Sequence, residues 1–552
     1  MSSMSDKHLV RLLVALMVGC VWSATLRAAN LVTNELKIAN GEHWWGGAAG
    51  FGTKMPFDGS SAVRIDLTVD NYSQQCDSLL ISDQGRIAYS PKPVSIEVTN
   101  GVIRFVTDGE FVVRQEGSTL REAFLYASRT WFSPSGRTPA ELFFTAPQYN
   151  TWVELNYHQN QESILKYARD FLAQGCPPGV IMIDDTWQVA YGEWDFDLRR
   201  FPDPKVMCDE LHRMGFKVML WICPWVGMDT PAYRRIAQGH NPNDYRGYPT
   251  EGGFRMLRSN PELPAPNQWW NGCSALLDFT HPNARAWFTE QLDRLAKDYG
   301  IDGFKFDGGE FEHYTDDAFS LERGLSRAEE SRAYALNALK YLYSEYRNGW
   351  HLGGQPIVQR LIDKPHTWDA VRQLIPDMMA AGLLGYQFVC PDMAGGGMWT
   401  AFLPGAKIDQ EIFVRSVQVH ALCGQMQFSA SPWRLLDAEH QEAVRKAVKL
   451  RQSFVPYILD LARTCAKSGE PMIRNLEYAY PHQGYAGVRD QFLLGEKLLV
   501  APQMEPGGKS RKVLIPPGSW KCDDGTVVRG PCSVQVETPI DRIPHYVLCE
   551  DY

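Results

Sequence analysis

The sequence predicts an α/β protein: a (β/α)8 TIM barrel with an N-terminal β-sandwich and a C-terminal antiparallel β domain. Three observations lead there. Short apolar runs alternate with amphipathic helices through the middle of the chain. Alternating strands with Asn-Gly and Asp-Gly turns fill the region before it. Strands punctuated by proline and glycine fill the region after it. At 552 residues the chain is too long for a single core, so several domains are expected.

Residues 1–29 read as an export signal. Lys7 and Arg11 precede an apolar run from Leu12 to Trp22, and small residues follow at Ala28 and Ala29. The run is too short to span a bilayer, so cleavage and a periplasmic or extracellular destination are expected. "MVGC", ending at Cys20, loosely resembles a lipoprotein box, but Met17 is a poor first residue for one.

Residues 30–135 form the expected sandwich. "AVRIDLTVD" alternates, and "VSIEVTNGVIRFVTDGEFVVRQEG" carries two hairpin-type turns. Residues 136–467 form the expected barrel. The helix "SILKYARDFLAQG" precedes the strand "VIMI", and "DPKVMCDELHRMG" precedes "KVMLWI". "HPNARAWFTEQLDRLAKDYG" precedes "GFKF", "TWDAVRQLIPDMMAAGLLG" precedes "YQFVC", and "DQEIFVRSVQVHALCG" precedes "MQFSA". A doubly wound sheet is the alternative, but no Gly-rich phosphate loop follows any strand. Residues 468–552 turn β again, with "KLLVAP", "RKVLIPPG" and "SVQVETP".

Net charge is -9, which argues against nucleic acid or an anionic membrane as partner. There are 12 cysteines and no C-x-x-C pair, so a zinc site is not expected. Cys208, Cys223 and Cys390 lie in apolar runs and read as buried thiols. Cys522 and Cys532 flank "DDGTVVRG" and are the one pair considered for a disulfide. Nothing in the sequence calls for a cofactor or fixes an oligomeric state.

The strand ends carry the chemistry. In a barrel, the residues just after the strands line one mouth. Here those positions are acidic in succession: Asp184 and Asp185 after "VIMI", Asp307 after "GFKF", Asp363 after "PIVQRL", and Asp392 after "YQFVC". Gly308 and Gly309 leave room for a ligand to approach Asp307. Such convergence suits a site that handles a proton or a cation-like species. A metal would want oxygen ligands at short spacing, and these acids lie on separate strands. Glycoside hydrolysis needs two carboxyl groups and aromatic walls. Trp187, Trp225, Trp269 and Trp270 are expected in loops after strands, and Trp221 in the core. Trp44 and Trp45 suit either the sandwich core or a loop at the barrel mouth.

In its ordered motifs the chain resembles glycoside hydrolase family 31. The carrying blocks are "GFKFDGGE", "IMIDDTW" with "WDFDLRRFPDP", "LLDFTHP", "GLLGYQFVCPDMAGG", "GEKLLVAPQ" and "VLIPPGSW". The resemblance implies a retaining exo-glycosidase acting on terminal α-linked hexose. It places the nucleophile at Asp307 and the acid/base at Asp363, with Asp369 as a rival because "LIDKPHTW" diverges from the family block. It implies that Arg347 binds the sugar and contacts the acid, that Asp184 holds a sugar hydroxyl, and that Trp270 forms a wall. Lys305 matches a lysine found in one branch. Asp185, Trp187 and Asp392 complete the expected substrate-binding set. "FKFDGGE", "IDDTW" and "HWWGG" are closest to the branch of the myogenesis-regulating glycosidase, which implies an α-galactoside. A histidine of many family α-glucosidases is missing from "QFSASPW". An α-glucosidase, or a carbohydrate-binding protein without catalysis, is the alternative.

Overall fold

The computed structural model describes residues 31–238, 257–258 and 265–549, so the expected export signal lies outside the described residues. Two antiparallel sheets open the described chain. One orders Val32–Lys37, Val102–Thr107, Ser95–Thr99 and Val63–Asp66; the other orders Trp44–Ala48, Gln75–Ser82, Arg86–Tyr89 and Val112–Gln115. The Asn-Gly turn works as read. Asn100 and Gly101 take φ of 50° and 71°, the left-handed pair that a tight hairpin demands. The Asp108-Gly109 turn does not join a hairpin, because Val102–Thr107 and Val112–Gln115 belong to different sheets. Trp44 and Trp45 are buried in the second sheet, which places them in the core and not at the barrel mouth.

The barrel strands are β1 (Gln148–Asn150), β2 (Val180–Ile183), β3 (Lys217–Ile222), β4 (Gly303–Phe306), β5 (Tyr343–Tyr346), β6 (Val358–Arg360), β7 (Val389–Cys390) and β8 (Gln427–Phe428). They pair in parallel in sequence order, and β8 pairs β1. The seam between β7 and β8 has no ladder, but Ala394 N–H donates to the Gln427 carbonyl at 2.8 Å across it. β1 and β5 carry no clear sequence signal, since QYN and YSEY are mostly polar and show no apolar run.

The barrel helices begin and end where local chemistry says they should. Gln161–Ala173 starts at a capping box between Asn160 and Ser163. Pro282–Tyr299 has proline in its first turn and stops at Gly300 in the left-handed conformation. The longest helix, Ala438–Ser468, packs outside the barrel and ends at left-handed Gly469. The C-terminal part is a six-stranded antiparallel sheet with its own small core around Leu493, Leu499 and Trp520.

The buried thiols behave as read: Cys208, Cys223 and Cys390 are free and enclosed. The considered disulfide does not form. Cys532 sits opposite Ile515 in the ladder between Ser510–Cys522 and Val527–Glu537, near its middle and seven residues along the strand from Cys522. That puts the two thiols roughly 20 Å apart along the strands, far beyond bridging distance.

Candidate active site

The register sets up the site. Trp221 on β3 lies beside Lys305 on β4, and Lys305 lies beside Glu345 on β5. These three share one level of the barrel. Just above them the strands open into a cavity of about 250 Å3 lined by Asp184, Asp185, Trp221, Lys305, Asp307 and Asp363. Arg347 and Trp270 line it too, as do Trp152, Tyr157, Met398 and Trp399.

Asp307 is the best-held carboxylate. Its Oδ2 accepts from Trp221 Nε1 at 2.8 Å and lies 3.7 Å from Lys305 Nζ. Its Oδ1 lies 3.4 Å from Arg347 Nε and accepts from Gly308 N–H at 3.0 Å. Burial alone would raise its pKa. Arg347, Lys305 and Arg360 outweigh burial and hold the carboxyl well below the ordinary range. Gly308 and Gly309 are explained by packing and not by ligand access. Both have φ near 80°, and a Cβ would meet the ring of Trp225 at 2.3 Å or Tyr334 at 2.9 Å.

Lys305 is fully enclosed, and its Nζ also donates to Asp184 Oδ2 at 2.8 Å. Its charge survives burial because Asp184 and Asp307 flank it and raise its pKa. Asp185 is differently occupied. Its oxygens take donors from Thr186 N–H, Gln188, Tyr191 and Asn271. Burial pushes Asp185 up to about 6 against those donors. Thr186, next in line, holds φ of 74°, a strained value for a β-branched residue, and Arg200 bonds to its carbonyl.

Asp363 lies on the wall after β6 and is the more open acid, with its side chain 22% exposed against 8% for Asp307. Arg360, at the end of β6, places Nη1 at 2.5 Å from Asp363 Oδ1. The same guanidinium reaches Glu345 at 3.3 Å and Asp392 at 3.5 Å. Asp369 is removed from the cavity: its side chain is 88% exposed in the first turn of the helix Trp368–Leu383, paired with Arg372.

Two expected substrate contacts move elsewhere. Trp187 is wholly buried, its Nε1 donates to the Trp221 carbonyl at 2.8 Å, and its ring packs on Trp194 and Phe196. It supports the cavity from behind because its loop turns into the core. Asp392 is also wholly buried and off the cavity lining. It accepts from the N–H groups of Lys364 and Gly397, tying the loops after β6 and β7 together. Burial and the nearby Asp363 carboxylate push it up to about 7.

Trp270 does face the cavity. It is 47% exposed, and Arg347 lies over its ring at 5.3 Å. Trp225 and Trp269 stack at 4.3 Å behind it. Across the opening, Tyr157 meets Trp152 and Trp399 edge-on at 5.4 and 6.2 Å. Trp221 is buried as expected, yet its indole faces the site. Arg360, Glu345 and this second aromatic group went unmarked in the sequence. The signal that could have found Glu345 and Arg360 is a charged residue within a short strand, YSEY and VQR.

Residues 147–360 and 361–461 match the glycosyl hydrolases family 31 TIM-barrel domain, and residues 469–549 match the C-terminal domain of that family. The chain belongs to glycoside hydrolase family 31. The myogenesis-regulating glycosidase of Mus musculus is 33% identical over 77% of this family 31 chain and 59% of its own length. Alpha-xylosidase XylQ of Lactiplantibacillus pentosus is 25% identical over 85% of this chain and 63% of its own. The chain thus spans less than two thirds of either relative. A family 31 alpha-xylosidase from a soil metagenome, solved with xylose, superposes with a TM-score of 0.78 at 21% identity, over 94% of this chain and 79% of that one. That likeness extends the family fold to the N-terminal sandwich.

Proposed function

We propose that this family 31 chain is an exo-acting retaining α-glycosidase for a terminal α-linked hexose, with an α-galactoside as the preferred substrate. The observation that carries the proposal is the pairing of Asp307, held ionised by Lys305 and Arg347, with the more open Asp363 on one cavity. One ionised and one protonatable carboxyl group are what the double displacement needs.

Asp307 attacks the anomeric carbon while protonated Asp363 donates to the leaving oxygen. Water then attacks the glycosyl-enzyme, and Asp363 takes its proton. The cavity of about 250 Å3 lies below the usual range for drug-sized ligands, which suits one sugar ring and exo action. Asp184, with Lys305 beside it, offers a charged partner for ring hydroxyls. Trp270 offers a face for the apolar side of the ring.

The α-galactoside preference rests on the branch-like motifs and on the missing α-glucosidase histidine, and an α-glucoside is the competing substrate. The deciding experiment is a panel of aryl α-glycosides, with the first-formed sugar followed by NMR. The α-anomer should appear first, from the galactoside. A β-anomer first would overturn retention, and release from no α-glycoside would overturn the enzyme reading.

A further inference from the structure

The N-terminal sandwich reaches the site through two buried carboxamides. Gln75 opens the strand Gln75–Ser82, and its Nε2 donates to the main-chain carbonyls of Arg347 at 2.5 Å and Arg360 at 3.3 Å. Those two residues carry the guanidinium groups beside Asp307 and Asp363. Asn71, just ahead of that strand, donates to Asn348 Oδ1 at 2.8 Å and accepts from Phe311 N–H at 3.4 Å. Asn348 in turn donates to the Gly308 carbonyl at 2.8 Å, one peptide from Asp307. Gln75, Asn71 and Asn348 are all buried. A short parallel ladder, Gly349 with Gln75 and Trp350 with Cys76, fixes the same junction.

We propose that Gln75 and Asn71 are positioning residues for the glycosidase reaction, setting the places of Arg347, Arg360 and Asp307 from outside the barrel. The inference rests on the reading of Asp307 as nucleophile. Both hydrogens of one amide hold the ends of two neighbouring strands, and those ends bear the cations of the two carboxyl groups. Two buried carbonyls in need of donors would explain Gln75 at any pair of strands. They do not explain why three of the held segments flank the reacting carboxylates. A guanidinium that shifts by an ångström changes the field at Asp307, and misplacement on that scale is costly to rate.

The test is Gln75→Leu in the full chain, which keeps bulk and removes both donors. Expected are a kcat lower by roughly 10- to 100-fold, a KM nearly unchanged, and a moved 15N–1H resonance of the Trp221 indole, which bonds Asp307. The resonance is assigned with Trp221→Phe and needs no substrate. A folded Gln75→Leu with wild-type kcat and indole resonance overturns the proposal. So does one that loses activity with the resonance unmoved. If Gln75→Leu does not fold, Asn71→Asp keeps the acceptor for Phe311, loses the donor to Asn348, and is judged by the same two readouts. Asp307→Asn serves as control. If it stays active the nucleophile reading fails, and the indole resonance still decides the positioning.

Discussion

The indole N–H of Trp221 donates to Oδ2 of Asp307 at 2.8 Å across adjacent barrel strands. With Lys305 and Arg347 on its other sides, Asp307 is a carboxylate that cannot rotate and has little tendency to take a proton. That is the state a glycosyl-accepting nucleophile requires.

Asp307→Asn should therefore reduce turnover by at least about 10³-fold. The amide keeps the volume but cannot form the glycosyl ester. It also strips a counter-charge from Lys305 and Arg347, so unfolding free energy should fall by about 3 kcal/mol. Steady-state kinetics and thermal denaturation check both parts. Near-wild-type turnover would remove Asp307 from the mechanism.

Asp363→Ala should slow glycosides with poor leaving groups by roughly 10²- to 10⁴-fold while sparing activated aryl glycosides, which need no proton. Azide should speed turnover of the aryl substrate and give the α-glycosyl azide, because it attacks the β-linked Asp307 ester from the opposite face. Asp369→Ala should behave as wild type, since its side chain is 88% exposed and outside the cavity. The reverse pattern would move the acid/base to Asp369.

Asp392, pushed up to about 7, gives stability a definite slope with pH. An acid with a raised folded pKa holds its proton more tightly folded than unfolded. Between its ordinary value near 4 and about 7 the folded chain binds more protons, so this contribution to stability is lost as pH rises through that window. Asp392→Asn copies the protonated form. Its Tm relative to wild type should rise from pH 5 to pH 8 by a few °C, on the order of the shift for 1 kcal/mol. Melting curves at both pH values give the difference, and a flat or falling one would contradict the assignment.

Hydrolysis of an aryl α-galactoside should exceed that of the α-glucoside by roughly 10²-fold or more, the gap expected when a buried polar partner goes unmatched. The two sugars differ only in the 4-hydroxyl, and Asp184 with Lys305 is the proposed partner for it. Equal rates, or a faster glucoside, would discard the galactoside preference and leave the two-carboxylate mechanism in place.

The barrel was legible wherever an amphipathic helix ran into an apolar strand. The mostly polar β1 and β5 were not. Asp307, Asp363, Asp184 and Asp185 were visible because a carboxylate after an apolar strand is conspicuous, and all four reach the cavity. Trp187 was misplaced because sequence shows that a tryptophan follows a strand but not which way its loop turns. Asp392 was read among the substrate contacts and as an acid that orients pocket loops; it stays off the cavity and ties the loops after β6 and β7. Arg360 was hidden by its surroundings: a guanidinium serving Glu345, Asp363 and Asp392 needs partners from three strands, and no local spacing announces them.

The ladder between Gly349–Trp350 and Gln75–Cys76 has a consequence for how the chain is made. The sandwich is synthesised before the barrel, yet Gln75 and one side of Cys76 are paired by residues that leave the ribosome some 270 positions later. Until then Gln75 has no carbonyls to hold. The sandwich must wait, partly open at that edge, for the barrel to reach its fifth strand. Its completion and the assembly of the Arg347 segment are then a single folding event.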